Sequence, residues 1–414
     1  MIVLPRKLLG VGVIVSLLLM SPRPVAAADE DSAAAAAPLP LPTLDVGDLW
    51  RKALRKEPAE GDASKKFFVL APSIVSKPST GLNAGVSGNV AFYLGDPATT
   101  RISTINGGLK VSQKGQTLGG IKFVTYTNDN RWFVQDENRL SWTSQNTFNL
   151  GGDSPASSGT NVKYDLFRFY GTAYRTIRPR LFVGFGLNFS DHTDVRPGTT
   201  TAARWDSSDY VEYSTQHGFD LEGQTSSGTN VGLIYDTRDN HINAQHGVLA
   251  SATYRTFFNG FLGGDSTWQE LYLDARTYKK LTPTARHKLA FWFLGDLVTG
   301  GTAPYFDLPA TAGQERSARG YGEGRYRGER MLYGEMEYRG ALTSSGLVGI
   351  VAFLNTTTVA SVESNEHLFD NFAPGAGFGF RFLLNKRSRT NLCTDYGWGK
   401  AGSRGFYLSI QEAF

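Results

Sequence analysis

The most constraining feature of this sequence is a period of two that runs to its last residues. Over 404–414 the even positions read Phe406, Leu408, Ile410, Glu412 and Phe414, and the odd ones Tyr407, Ser409, Gln411 and Ala413. Phe378, Phe380, Phe382 and Leu384 alternate with Gly377, Gly379, Arg381 and Leu383. Leu332, Met336 and Tyr338 alternate with Tyr333, Glu335, Glu337 and Arg339, and Leu271, Leu273 and Ala275 with Glu270, Tyr272, Asp274 and Arg276. Successive side chains of a strand point to opposite faces, so each segment collects its charges on one side.

Alternation alone does not say which face meets water. A soluble sandwich buries the apolar face, whereas a membrane barrel turns it outward and keeps a polar interior. Three features choose the barrel. The chain opens with an export signal: Arg6 and Lys7, an apolar run over 8–20, and the small-residue exit Ala26-Ala27-Ala28, with cleavage expected after Ala28. The run is shorter than the ~20 residues of a spanning helix. The strand segments, at about 11–18 residues, exceed the usual 5–6. They also continue to the terminal aromatic, and only a closed barrel satisfies every backbone group in lipid.

Composition agrees. The 47 glycines and 12% aromatics, beside 4 methionines, favour strands over helices. Lysine and arginine number 42 against 38 acidic residues, and Arg6, Lys7 and Arg23 leave with the signal. The near-neutral remainder lacks the basic footprint of a nucleic-acid binder. The single cysteine, Cys393, excludes a disulfide framework and is read as an inward-facing filler.

Residues 29–65 form an Ala/Pro-rich tether in which Asp48 is expected to cap one short helix over 49–56, stopped by Pro58. Its apolar stripe of Leu49, Trp50, Ala53 and Leu54 is suited to docking on a barrel rim or partner, or to plugging a lumen; a tether with one packed turn is the simpler reading. Residues 66–414 are expected to form the barrel. Strands are placed near 66–76, 80–95, 100–113, 116–128, 130–146, 160–177, 179–192, 226–237, 245–260, 265–282, 284–299, 329–343, 345–360, 372–385, 388–400 and 404–414. The fold class is therefore all-β, a transmembrane antiparallel barrel of sixteen strands, an even number as in bacterial barrels. Short turns follow every second strand, on the periplasmic side. Long loops over 147–159, 193–225, 300–328 and 361–371 lie opposite. The acidic loop 193–225 is expected to face outward, whereas 300–328 is too long for a mere connection and is a plug candidate. Pro72 in the first strand cannot donate to a ladder, so it weakens the seam with the last strand or marks a bulge.

From 66 to 414 the chain resembles the BamA/TamA superfamily of outer-membrane barrels, the bacterial surface antigen family. Ala318-Arg319-Gly320-Tyr321 matches its hallmark (V/I)RG(F/Y) between strands eleven and twelve. Tyr235-Asp236-Thr237-Arg238-Asp239-Asn240 through Gly247 matches its DTRDN…G turn, and Gly375-Ala376-Gly377-Phe378-Gly379-Phe380-Arg381-Phe382 its GxGxGxRF strand. Asp395-Tyr396-Gly397-Trp398-Gly399 and 405–414 match its last two strands. The resemblance implies a lumen loop whose arginine, Arg319 with Gly320 and Tyr321, meets acids of strands twelve and thirteen. Glu337 sits at the first position and Glu335 beside it, Asn355 stands where the family usually has Asp, and Arg381 completes the lumen set. It further implies that the terminal strand, with Phe406, Leu408, Ile410 and Phe414, is read as a signal by the barrel-assembly machinery. Alternation places Phe414 on the lipid face. Family members that assemble or translocate proteins carry POTRA modules of about 75 residues, which 29–65 cannot hold, so a separate periplasmic partner is expected.

Chemistry motifs are thin. His241 and His246 lack the carboxylate pattern of a metal site. Ser190-Asp191-His192 cannot form a triad, because neighbours on a strand face opposite ways. Glu335, Glu337, Glu270 and Asp274 are read as lumen charges with Arg276, Arg339 and Arg381 rather than catalytic pairs. No cofactor and no enzymatic activity are expected. Two functions remain open: insertion or export of protein or lipid through the seam, in contact with outer-membrane lipids, or a passive channel or structural barrel.

Overall fold

The computed structural model describes residues 44–54, 67–77, 81–283, 286–313 and 316–414. The expected signal at 1–28 and most of the tether lie outside the described residues. The strands are β1 Phe67–Lys77, β2 Gly81–Phe92, β3 Ser103–Ser112, β4 Thr117–Tyr126, β5 Trp132–Thr147, β6 Thr160–Arg178, β7 Leu181–Pro197 and β8 Gln224–Asp236. They continue as β9 Gly247–Phe257, β10 Trp268–Lys280, β11 His287–Gly301, β12 Arg330–Ala341, β13 Val348–Ala360, β14 Ala373–Asn385, β15 Thr390–Gly399 and β16 Arg404–Ile410. Each pairs antiparallel with its chain neighbours, and β1 pairs with β16 to close the barrel.

The period of two sorts the faces. Phe378, Phe380 and Phe382 of β14 and Met336 and Tyr338 of β12 are exposed on the outer wall. Glu335, Glu337, Arg339 and Arg381, one residue out of phase, are buried inside. An apolar exterior around a charged interior is the pattern of a transmembrane barrel. None of the described helices is long and apolar enough to cross a membrane; the strands do the crossing.

Two departures concern the chain ends. The helix is α1, Val46–Ala53, and its cap is Asp45 rather than Asp48. Asp48 sits three residues on and returns a bond to the Asp45 backbone, completing a capping box. The second departure is β16, which stops at Ile410 instead of running to Phe414, with consequences for the lumen described below.

Loops span both mouths. At the long-loop end, 198–223 holds α2, Ala202–Asp206, and α3, Asp209–Gln216. Tyr210 and Tyr213 of α3 pack on Tyr305 and Phe306 of the loop between β11 and β12. At the short-turn end the DTRDN segment, 237–246, reaches across the opening. Ile242 packs with Ala91 and Ile102, Lys288 donates 2.7 Å bonds to Asn243 and the Ala244 carbonyl, and Arg389 pairs with Asp239 at 2.5 Å. Gly247 ends this segment with φ 103; a Cβ there would lie 2.4 Å from the Thr237 carbonyl oxygen.

Candidate functional site

The loop 302–329 folds into the lumen and is tied down along its length. Arg168 of β6 holds Asp307 at 3.1 Å, Arg139 of β5 holds Glu323 at 3.2 Å, and Arg327 donates to the carbonyls of Tyr305 and Leu308 within the loop. The hallmark lies at its centre. Ala318 adopts φ 48 and Gly320 φ 111, so the backbone turns sharply and projects Arg319 into the wall. Arg319 is 1% exposed. One guanidinium nitrogen donates to both Glu335 and Glu337 of β12, and the other to Asp395 of β15 at 2.8 Å. The plane of the guanidinium lies over Phe353 of β13, 3.7 Å from the ring centre. A planar, permanently charged fork is the side chain suited to several carboxylates at once.

The expected partners thus need revision. Glu337 is a partner, but not alone: Arg319 divides itself among three acids. Asn355 does not meet the guanidinium; its amide donates to the Arg319 carbonyl at 3.4 Å. Arg381 does not touch the arginine either; it pairs with Asp395 at 2.6 Å and Glu412 at 2.7 Å. The third acid, Asp395, was missed although its motif was quoted. It is in phase with inward-facing Cys393, which was the available signal. Tyr407 of β16 was missed too, and its hydroxyl accepts the Gly320 N–H at 3.1 Å. Tyr321 packs against β14 and β15, donating to the Pro374 carbonyl at 2.5 Å and accepting from the Lys400 backbone at 2.7 Å. Close approach explains the glycines: a Cβ at Gly320 would sit 2.7 Å from the Trp398 backbone, and one at Gly399 2.6 Å from the Tyr321 ring.

The seam is short. β1 meets β16 only at Ile74–Leu408, Val75–Tyr407 and Ser76–Phe406, whereas β1 pairs with β2 over its whole length. Pairing stops just past Pro72, which is exposed on the outer wall opposite Val86. No bulge interrupts β1 there, so the proline stands at the end of the paired stretch.

Beyond Ile410 the chain leaves the wall. Gln411 takes the left-handed conformation, φ 71, and this turns the later even positions, Glu412 and Phe414, from the lipid face to the lumen. Phe406 and Leu408 keep the outward phase, but Ile410 is buried, and Phe414 is 5% exposed inside the barrel. Phe414 therefore does not face lipid. Its ring stacks on Trp292 and lies under the Arg339 guanidinium, 4.7 Å away. Glu412, the acid that broke the apolar face of the sequence, pairs with Arg381 and accepts from Asn391. Arg316 of the lumen loop donates to the carbonyls of Ile410, Gln411 and Glu412. Loop and tail are thus one polar network, and a cavity of about 340 Å³ remains beneath it, lined among others by Asp136, Arg238, Arg255 and Phe414.

The other chemistry candidates disperse. Ser190 and His192 face the lumen and Asp191 faces away to Thr225; Ser190 donates to Asp307, not to His192. His241 meets Thr104 at 3.3 Å. Among the described residues no cluster of three His, Cys, Asp or Glu side chains could hold a metal.

No family model matches this sequence, and no curated protein matches it. Solved structures do. The chain is similar to BamA of Haemophilus ducreyi lacking POTRA domains 1–3: TM-score 0.55, 11% identity, 84% of this chain and 70% of that one. It is also similar to CdiB from Acinetobacter baumannii: TM-score 0.54, 13% identity, 84% of this chain and 59% of that one. The fold expected from the alternation, and implied again by the four motifs, is the fold found: a closed sixteen-stranded antiparallel barrel, similar in fold to BamA.

Proposed function

We propose that this protein is a bacterial outer-membrane barrel that works through its seam, aiding insertion or export of protein or lipid, with substrate brought by a separate periplasmic partner. The reading takes up the BamA/TamA-type activity implied by the motifs. The observation that carries it is the three-pair contact of β1 with β16, beside a β1 edge from Phe67 to Ser73 that has no ladder pairing with β16, where only the Ser73 hydroxyl reaches across to the Leu408 carbonyl. Strand pairs supply the ladder bonds that hold a wall shut, and an edge without them is free to accept another strand. The loops spanning both mouths and the loop inside the lumen weigh against the passive-channel reading.

A lock on the seam tests it. Ser76→Cys with Phe406→Cys, in a Cys393→Ser background, joins directly opposed positions. Oxidation is expected to leave a folded barrel but to abolish the support that the protein gives to outer-membrane protein or lipid levels in depleted cells, and reduction to restore it. Full support from the locked barrel would defeat the proposal. In planar bilayers the intact protein is expected to conduct little.

A further inference from the structure

Among the described helices, α1 carries an apolar face that the barrel does not cover. Val46, Leu49, Trp50 and Ala53 fall at helical spacing on one side. Val46 is 40% exposed, Leu49 43%, Trp50 69%, and Leu54 just beyond 53%. The opposite side is the docked one. Asp45 accepts the Lys386 backbone N–H at 3.1 Å, and Asp48 takes the Lys386 ammonium at 2.7 Å and Arg51 at 2.5 Å. The helix is therefore fixed by its polar face to the turn between β14 and β15. It does not plug the lumen, where these apolar residues would be buried.

We infer that α1 is an interfacial helix whose apolar face lies in the phospholipid leaflet at the short-turn end of the barrel. Its dock decides the occupant. Lys386 follows β14 directly, and the outward residues of β14, Phe378, Phe380 and Phe382, form an exposed apolar column descending to that turn. The apolar face of α1 continues this lipid-facing surface at the rim. Tryptophan is the side chain enriched at that depth, with an apolar body and a polar N–H. Arg51 and Lys52 close the helix, so its last turn carries two cations at the end where Leu54 is exposed, as suits a phosphate-bearing surface. The two acids that would oppose phosphates are engaged by Lys386 and the cap. The turn that holds α1 is also two strands from the seam, and the chain runs on from α1 to β1. The helix thereby seats its apolar wedge in the lipid two strands from the edge that lacks ladder pairing with β16. This holds whether or not the seam transports anything.

The test uses the full chain in vesicles of phosphatidylethanolamine and phosphatidylglycerol. A fluorophore is placed at Trp50→Cys or, as the polar-face control, at Lys52→Cys, each in a Cys393→Ser background. Acyl-chain doxyl lipid is expected to quench position 50 about threefold more than position 52, with iodide giving the reverse order. Iodide reaching position 50 as readily as 52 would overturn the inference, since the face would then lie in water. Protection of position 50 from both quenchers would also overturn it, placing a second copy or another protein on the face. If Trp50→Cys does not give a heat-modifiable barrel, wild type is compared with Trp50→Phe. The fraction of tryptophan emission removed by brominated lipid is then expected to fall in the variant, and an unchanged fraction would reject the inference.

Discussion

Phe414 stacks on Trp292 inside the lumen, with ring centres 5.1 Å apart. In a strand continued without interruption, Phe414 would share the outward phase of Phe406 and Leu408. A single left-handed residue, Gln411, moves it by one phase and carries Glu412 with it to Arg381. The end of the chain that closes the sheet is therefore also a part of the lumen network, and its contacts compete with any extension of the β1–β16 pairing.

The conformation at Gln411 gives the first prediction. A Cβ in the left-handed region crowds the following carbonyl, by roughly 1–2 kcal/mol, and glycine is free of that cost. Gln411→Gly is expected to keep the tail inside at equal or slightly higher stability. Gln411→Val is expected to loosen the tucked tail, because a β-branched side chain is a steric outlier at positive φ where glutamine is tolerated. A label at 413 should report this as slower and faster access, respectively, of a water-soluble reagent.

Arg319 and its acids give the second. The guanidinium and the Glu335 and Glu337 carboxylates are almost fully buried, so removing the arginine leaves charges unmatched. Arg319→Ala is expected to cost about 3–5 kcal/mol, to raise single-channel conductance, and to expose 302–329 to protease. Glu337→Ala should act in the same direction, and the double variant should fall short of the sum because both remove one network. Arg319→Lys should rescue little, since an ammonium cannot serve three acids and the Phe353 face together. Strict additivity would mean that the two residues do not share an interaction.

The third concerns how closely the hallmark lies against the wall. Gly399→Ala would drive a methyl into the Tyr321 ring, a side chain with room to yield only by giving up its bonds to Pro374 and Lys400. Gly320→Ala meets Trp398 backbone and also a φ of 111 that only glycine adopts at low cost. Gly320→Ala is expected to be the more damaging, by at least about 1–3 kcal/mol, in urea titrations followed by heat-modifiable migration.

Much of this is legible in the sequence because strands in a lipid-facing wall must alternate, and the segments 270–276, 332–339, 377–384 and 404–410 do so plainly. The lumen side of Glu335, Glu337, Arg339 and Arg381 followed from phase alone. What phase cannot give is which wall residues lie next to one another around the barrel. Asp395 reaches Arg319 because the loop crosses to β15, a distance of many residues in sequence, and no local pattern encodes that crossing. Phe414 failed for a different reason. One backbone torsion reverses every later face, and the sequence marks it only through the misplaced acid Glu412. The short helix was found, but Asp45 and Asp48 both suit a cap, and only the reciprocal bonds of the capping box decide between them.

The last prediction follows from Asp48. Burial alone would raise its carboxyl, but the bond from Lys386, the Asp45 backbone N–H and Arg51 outweigh it and hold the group at about 2. A carboxyl depressed in the docked state favours docking above its free value of about 3.9, and that support is lost as the pH falls toward the depressed value. The dock of α1 on Lys386 should therefore be insensitive to pH from 8 down to about 4 and weaken between about 4 and 2. A spin label at Lys52→Cys, in the Cys393→Ser chain, should be immobilised at the upper end of that range and become mobile through the lower window. Asp48→Asn should give a more mobile spectrum at every pH, with no titration in this window, because an amide carries no charge to pair with the Lys386 ammonium and leaves only the Asp45 contact. The barrel itself should remain heat-modifiable under both conditions, since no strand depends on this contact. A label as immobilised at pH 2 as at pH 8, or an Asp48→Asn chain with the wild-type titration, would show that the Asp48–Lys386 pair does not hold the helix to the rim.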